Sequence, residues 1–386
     1  MTSGSAPARR LNILGIRDRY PFSFNSPRMS RHAIECRRFL PLDKYFPPLG
    51  AATFVNPWPP KHFDLLHAWN RIPLGPSPFI IGYESHLPRA WGREHTAAYK
   101  LLMDTLLSKR CRRIIAVSKA AQHTFLTQHQ NHPRIEELKA KLIQRYPNVH
   151  IPQMDEWFDP AAGIERMKLL FVGGHFARKG GCVAVKLAEK ARAANVPLDI
   201  TIVSSLQYGN GIWTDPTRKE FYEPYIKLLD QPNITHLQGA PNATVLELSS
   251  QSHMSLLPTF GDTFGYSAFE SMMCYAPVVA TALSSLPEFV NNENGVLLGI
   301  ETNEDREWLH VRGDHSTPAF EKIFADEVER LADETLAACA ALMNDPQRLA
   351  RMRKAARKTA HDMFNAEDAN RYWDDLYDEV VAERRR

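Results

Sequence analysis

Residues 258–281 read PTFGDTFGYSAFESMMCYAPVVAT. An apolar strand ends at Pro258, a loop carrying Gly261 and Gly265 follows, then a helix, then the buried-strand pattern Val278–Thr281. Strands separated by a helix lie parallel in one sheet, joined by a crossover. Parallel-sheet proteins bind ligands just outside the carboxyl ends of their strands, which is where this loop must lie. The loop also runs into a helix N-terminus, whose backbone N–H groups and dipole favour anions. Glu270 falls one turn inside that helix among Phe269, Met272 and Met273. A carboxylate buried there is costly unless it meets hydrogen-bond donors. A ribose diol would supply two; capping of a neighbouring backbone is the equally weighted alternative.

The same alternation extends to both sides. Downstream of a break at Asp155–Glu165, strands are expected at Lys168–Gly173, Leu198–Ser204, Ile234–Leu237, Met254–Pro258, Val278–Thr281 and Gly295–Leu298, with helices at Gly181–Ala194, 242–250 and 266–275. Upstream, strands are expected at Leu11–Ile16, Phe63–Ala68, Phe79–Tyr83, Arg113–Val117 and Val149–Pro152. The helices there are Arg93–Ser108, Ser118–Gln128 with Ser118 as N-cap, and Arg134–Arg145. Residues 40–60 are rich in Pro and read as an ordered loop. The final helix, Ala366–Arg384, places Ala369, Trp373, Leu376, Tyr377 and Val380 at helical spacing. The expectation is an α/β chain of two doubly wound parallel-sheet domains: 1–160, 161–362, and a helix, 363–386, returning to the first.

Composition bounds the function. The chain has 386 residues, 44% hydrophobic and 24% charged, which suits two globular domains. No apolar run is long enough to span a bilayer. The polar start, Met1–Arg10, lacks a secretory pattern. Five scattered cysteines without a CxxC pair argue for reduced thiols in a cytoplasmic protein and against structural zinc. Residues 1–160 hold 23 Lys and Arg against 12 Asp and Glu, whereas the remainder is acidic. The clusters Arg37-Arg38 and Lys109–Arg113 read either as a solvated basic face or as a front that meets an anionic membrane or a phosphorylated acceptor. No nucleic-acid motif accompanies them. A dinucleotide fingerprint, a P-loop and a D-x-D pair are absent too, so no metal is expected.

The stretch DTFGYSAFESMMCYAPVVAT, in which seven residues separate Asp262 from Glu270, resembles the E-x7-E signature of the family 4 retaining glycosyltransferases of GT-B fold. That resemblance implies that Glu270 binds the donor ribose and that Asp262 sits by the donor sugar. Thr263, Phe264 and Gly265 would offer backbone N–H groups to the sugar and diphosphate. The family usually has Glu where this chain has Asp262, one methylene shorter. Leu169–Gly181, LLFVGGHFARKGG, resembles the family's strand-glycine-lysine segment. Gly173 and Gly174 would let the backbone approach a phosphate, and Lys179 with Arg178 would neutralise the leaving diphosphate. Gly174 stands where many members have Arg, a part that Arg178 would take. PFIIGYESH, residues 78–86, resembles the first-domain strand that ends in an active-site His. Glu84 falls in register with the family's His and is the alternate; His86, two residues later, is the favoured candidate, and a structural role weighs equally for that His. The strand-Ser turn at Ile114–Lys119 is similar to a structural element of the family. The usual glycine pair after the first strand is missing, leaving Arg17 as an acceptor-side candidate.

The resemblance therefore implies retaining, metal-independent transfer of a hexose-type sugar from a nucleotide diphosphate-sugar. The acceptor would be a glycan or lipid-linked hydroxyl, in cell-surface polysaccharide or lipopolysaccharide assembly. A GT-B phosphorylase or epimerase, and a non-catalytic carbohydrate- or lipid-binding protein, are the alternatives. Asn233 and Asn242 begin Asn-x-Thr triplets that a cytoplasmic chain would not use.

Overall fold

The computed structural model describes residues 9–17, 22–40, 50–55, 61–90, 92–156 and 159–383. The chain divides into two units, one of Met1–His150 with Phe364–Arg386 and one of Ile151–Met363.

The first unit holds β1 (Asn12–Arg17), β2 (Ala33–Leu40), β3 (Ala52–Val55), β4 (Leu65–Trp69), β5 (Ile72–Pro73), β6 (Phe79–Tyr83), β7 (Cys111–Ala116) and β8 (Leu142–Gln144). Among the described residues they form one sheet in the order β5-β3-β2-β1-β4-β6-β7-β8, parallel except for the β2–β3 pair. Its helices are α1 (Ala97–Leu107), α2 (Lys119–Gln128) and α3 (Ile135–Lys139). Ser118 caps α2 as expected, its hydroxyl accepting from the Ala121 N–H at 2.9 Å.

Three expectations need correction here. The helix Arg134–Arg145 stops at Lys139, because Leu142–Gln144 pairs with Ile114–Ala116 as an added strand and the ladder outweighs local helix propensity. Val149–Pro152 is not a strand; Val149 makes only an isolated bridge to Asn365. Strand β2 was hidden by its charges: Glu35 pairs with Arg37, whose side chain is largely covered, and the pairing offsets its burial. Of the Pro-rich segment, residues 41–49 and 56–60 lie outside the described residues, and Ala52–Val55 is strand β3.

The second unit holds β9 (Met167–Val172), β10 (Leu198–Val203), β11 (Ile234–Leu237), β12 (Met254–Leu257), β13 (Val278–Thr281) and β14 (Gly295–Leu298), all parallel in the order β11-β10-β9-β12-β13-β14. Phe171 stands in register with Ile202 on one side and Leu256 on the other, so the three central strands end level. Their following loops must therefore emerge side by side. The helices are α4 (Gly181–Ala193), α5 (Glu223–Lys227), α6 (Asn242–Ser250), α7 (Tyr266–Met272), α8 (Pro318–Asn344) and α9 (Pro346–Phe364). Asn233 is a buried amide that donates to the Ala188 and Leu198 carbonyls, a packing role.

The last helix, α10 (Ala366–Ala382), belongs to the first unit. Its Ala369, Trp373, Leu376, Tyr377 and Val380 pack against Leu11, Ile13, Leu65, Ile80 and Ile115. The Tyr377 hydroxyl lies 2.8 Å from the His67 ring, whose burial pushes its pKa down to about 3 and keeps it neutral.

Candidate active site

The loop after β9 turns tightly enough that Lys179 lies over Gly173. A Cβ on Gly173 would sit 2.8 Å from the Lys179 Cβ, so any side chain there would dislodge the lysine. Gly180 has φ +92° and passes so close to Pro258 that a Cβ would lie 2.2 Å from its carbonyl oxygen. Only glycine permits both the left-handed turn and that approach. The β9 and β12 loops are thus pressed together, and backbone bonds seal them: Phe260 N–H and the Thr259 hydroxyl both donate to the Arg178 carbonyl at 2.8 Å.

Side chains converge on that seam. Lys179 makes an ion pair with Asp262, 83 residues later in the chain. The Arg178 guanidinium donates to the Gly261 carbonyl at 2.8 Å and to Nδ1 of His175 at 3.0 Å. Burial, joined by the Arg178 and Lys179 charges, lowers the His175 pKa, consistent with a neutral ring accepting at Nδ1. Burial alone would push the Asp262 carboxyl up. The Lys179 and Arg178 charges, the lysine hydrogen bond and the Gly265 N–H together outweigh it and hold Asp262 below its ordinary value.

The Gly265 N–H thus contributes to the low pKa of Asp262. Gly265 itself has φ +86° and caps α7. The Thr263 and Phe264 carbonyls are held by the hydroxyls of Ser284 and Ser285 at 2.9–3.2 Å, which fixes the peptide planes of this turn. Phe264 is buried and stacks on Phe289. Glu270, five residues into α7, lies about 7.5 Å along the helix from that cap. A correction concerns its setting: Phe269, Met272 and Met273 are buried, but Glu270 is only half-buried. Helix α7 ends at Met272 instead of the expected 275, since Tyr275 takes a left-handed φ of 63°.

Gly174 keeps its place in the glycine turn, its carbonyl accepting from Gln207 at 3.0 Å. That bond recruits a third loop, after β10, which sequence reasoning missed. Asp215 is fully buried there and accepts from the Gly209 N–H at 3.1 Å and the Thr214 hydroxyl at 2.8 Å. Burial pushes its pKa up to about 7 despite the opposing charge of Arg178. The signal available was GNGIWTDP, two glycines and a proline around an acid, which marks an ordered turn without showing what it packs against. A raised carboxyl pKa stabilises the native state where the group is protonated, near pH 4. That contribution is lost as pH rises through about 7. Asp215→Asn, whose amide oxygen accepts from the Gly209 N–H while its NH2 donates to the rotated Thr214 hydroxyl, is expected to melt at the wild-type temperature at pH 4 and above it at pH 8. Equal melting at both pH values would contradict a raised pKa.

In the first unit, β6 ends at Tyr83 and the next residues separate the two candidates. Glu84 is buried, pairs with Arg89 and accepts from the Asn70 amide at 3.3 Å. Its carboxylate ties the β4–β5 turn to the loop after β6, a structural task. His86 is half-buried. Its loop is gripped by α2: the Leu87 N–H donates to the Gln128 side chain at 2.9 Å, and the His129 ring lies 2.8 Å from the Leu87 carbonyl. Arg17 ends β1, and its side chain lies outside the described residues.

Two parallel-sheet units, the second with three loops knotted at the carboxyl edge of its sheet, define the GT-B class of glycosyltransferase fold. Residues 166–308 match the family model for glycosyl transferases group 1. They include Leu169–Gly181 and the stretch from Asp262 to Thr281, two of the segments on which the resemblance was read. Among solved structures, the chain is similar to Anabaena Alr3699/HepE in complex with UDP, at 14% identity and TM-score 0.59 over 96% of this chain and 100% of that one. A glycosyltransferase from Rickettsia africae ESF-5 aligns at 14% identity and TM-score 0.54 over 96% and 99%. Sucrose-phosphate synthase (tll1590) from Thermosynechococcus elongatus aligns at 17% identity and TM-score 0.52 over 83% and 74%. At these identities the likeness is one of fold. No curated protein matches the chain in sequence. No helix among the described residues is long and apolar enough to cross a membrane.

Proposed function

We propose that the protein transfers a sugar from a nucleotide diphosphate-sugar to a hydroxyl group of a glycan or lipid-linked acceptor, with retention at the anomeric carbon. The observation that carries this reading is the Lys179–Asp262 pair, which holds a cation at the strand ends beside Arg178 before any ligand arrives. Supporting it are the group 1 match of residues 166–308 and the UDP-glucose complex of Anabaena Alr3699/HepE. The bond from the anomeric carbon to the diphosphate breaks, and the acceptor oxygen bonds to that carbon on the same face. The acceptor proton passes to a diphosphate oxygen. Lys179 and Arg178 neutralise the charge that develops on the leaving group, the task a metal performs elsewhere. Asp262 orients Lys179 and faces the sugar, while Glu270 holds the ribose hydroxyls. The basic first half suits an anionic, membrane-held acceptor of polysaccharide or lipopolysaccharide assembly on the cytoplasmic side.

A panel of UDP-, GDP- and ADP-sugars in a thermal-shift assay is expected to single out one nucleotide. With that donor, Glu270→Ala should raise the donor KM about 10- to 100-fold, the range for lost hydrogen bonds to a charged group. A Glu270→Ala variant of unchanged donor KM would remove Glu270 from the site. Proton NMR of the product reports whether the anomeric configuration is kept.

A further inference from the structure

Trp213 leaves 46% of its surface exposed, although the next two residues, Thr214 and Asp215, are fully buried. The loop that carries it is pinned, not loose. Asp215 grips Gly209 and Thr214, and Gln207 is bonded through both its N–H and its carbonyl to the β9 loop, at Gly174 and Phe176. The six-membered ring of the indole presses on Gly261, where a Cβ would lie 2.4 Å from Cη2 and 2.8 Å from Cζ2. Gly261 immediately precedes Asp262 and receives the Arg178 hydrogen bond. A large aromatic held rigidly in water at the carboxyl edge of a parallel sheet offers its open area to a ligand ring.

We propose that Trp213 is a specificity-determining residue whose indole stacks on the apolar C–H face of the donor's transferred sugar. This rests on the donor site proposed above and adds a subsite to it. The contact with Gly261 selects the sugar over the base. Gly261 is the residue before Asp262, which faces the sugar in the reading above, so the open face of the indole lies beside the sugar position.

The experiment measures dissociation constants by calorimetry on the full chain, for the sugar nucleotide that binds tightest in the panel and for its free nucleoside diphosphate. Trp213→Leu is expected to weaken the sugar nucleotide about 5- to 10-fold, the range for a lost aromatic face, and the free diphosphate less than about 2-fold. Trp213→Phe should recover most of the loss. Because the residue is exposed, melting temperatures should stay at the wild-type value and show that both variants fold. Equal losses for the two ligands would place the nucleobase on the indole and overturn the assignment, as would no loss for either. A wild-type protein that binds none of the UDP, GDP or ADP species would overturn the transferase reading, and the stacking with it.

Discussion

Lys179→Ala is expected to lower kcat by about 10²- to 10³-fold, the usual consequence of removing one preorganised charge from a developing anion. The stability of the same variant should depend on pH in a defined way. In the native protein, Asp262 is held below its ordinary pKa, so the pair stabilises the fold above the unfolded-state value and the contribution fades as pH falls through the native one. Without Lys179, the burial of Asp262 is opposed only by Arg178 and the Gly265 N–H, and its pKa rises. The melting-temperature deficit should therefore be larger at pH 8 than at pH 4. Lys179→Met with Asp262→Asn removes both charges and should recover stability at pH 8 while transfer stays low. Recovery of transfer by the double variant would show that Lys179 serves only to neutralise Asp262. Chromatographic detection of released nucleoside diphosphate provides the rate, and differential scanning calorimetry the melting temperatures.

Trp373→Ala should have the largest effect on stability, about 3–5 kcal/mol, because it empties a site between the sheet and the last helix of the first unit. The indole is buried and lies 4.8 Å from the His67 ring, within the cluster formed by Leu11, Ile13, Leu65, Ile80 and Ile115. The helix α10 reaches that cluster from the far end of the chain, so losing its anchor should loosen β1 and β4 first. Hydrogen exchange is the discriminating measurement: amides of β1, β4 and β6 should lose protection while those of β9, β12 and β13 keep theirs. Trp373→Phe retains a ring in the cavity and should cost less than half as much. Uniform loss across both units would contradict the assignment of α10 to the first.

Much of the fold could be read from single segments. FIIGY at Phe79–Tyr83 and VVAT at Val278–Thr281 are buried throughout, and a strand covered on both faces announces itself as an unbroken apolar run. The cap at Ser118 and the amphipathic spacing of α10 were equally local. Strands β2 and β8 were not legible, since one is charged and the other short, and each exists because a neighbour supplies its ladder.

At the site the division is similar. Glycines 173, 174 and 265, with Lys179, Asp262 and Glu270, were read from the sequence through the family resemblance that their types and spacing carry. The sequence by itself determined the two parallel α/β units and the chemical inventory of the loops after β9 and β12. Tertiary structure alone decided how that inventory is arranged: which lysine meets which carboxylate across 83 residues, that Glu270 is only half-buried, and that the loop of Trp213 and Asp215 packs beside them. The reason is physical. Strand and helix patterns are set by neighbours along the chain, whereas charge pairing, burial and pKa depend on which loops the level strand ends bring together.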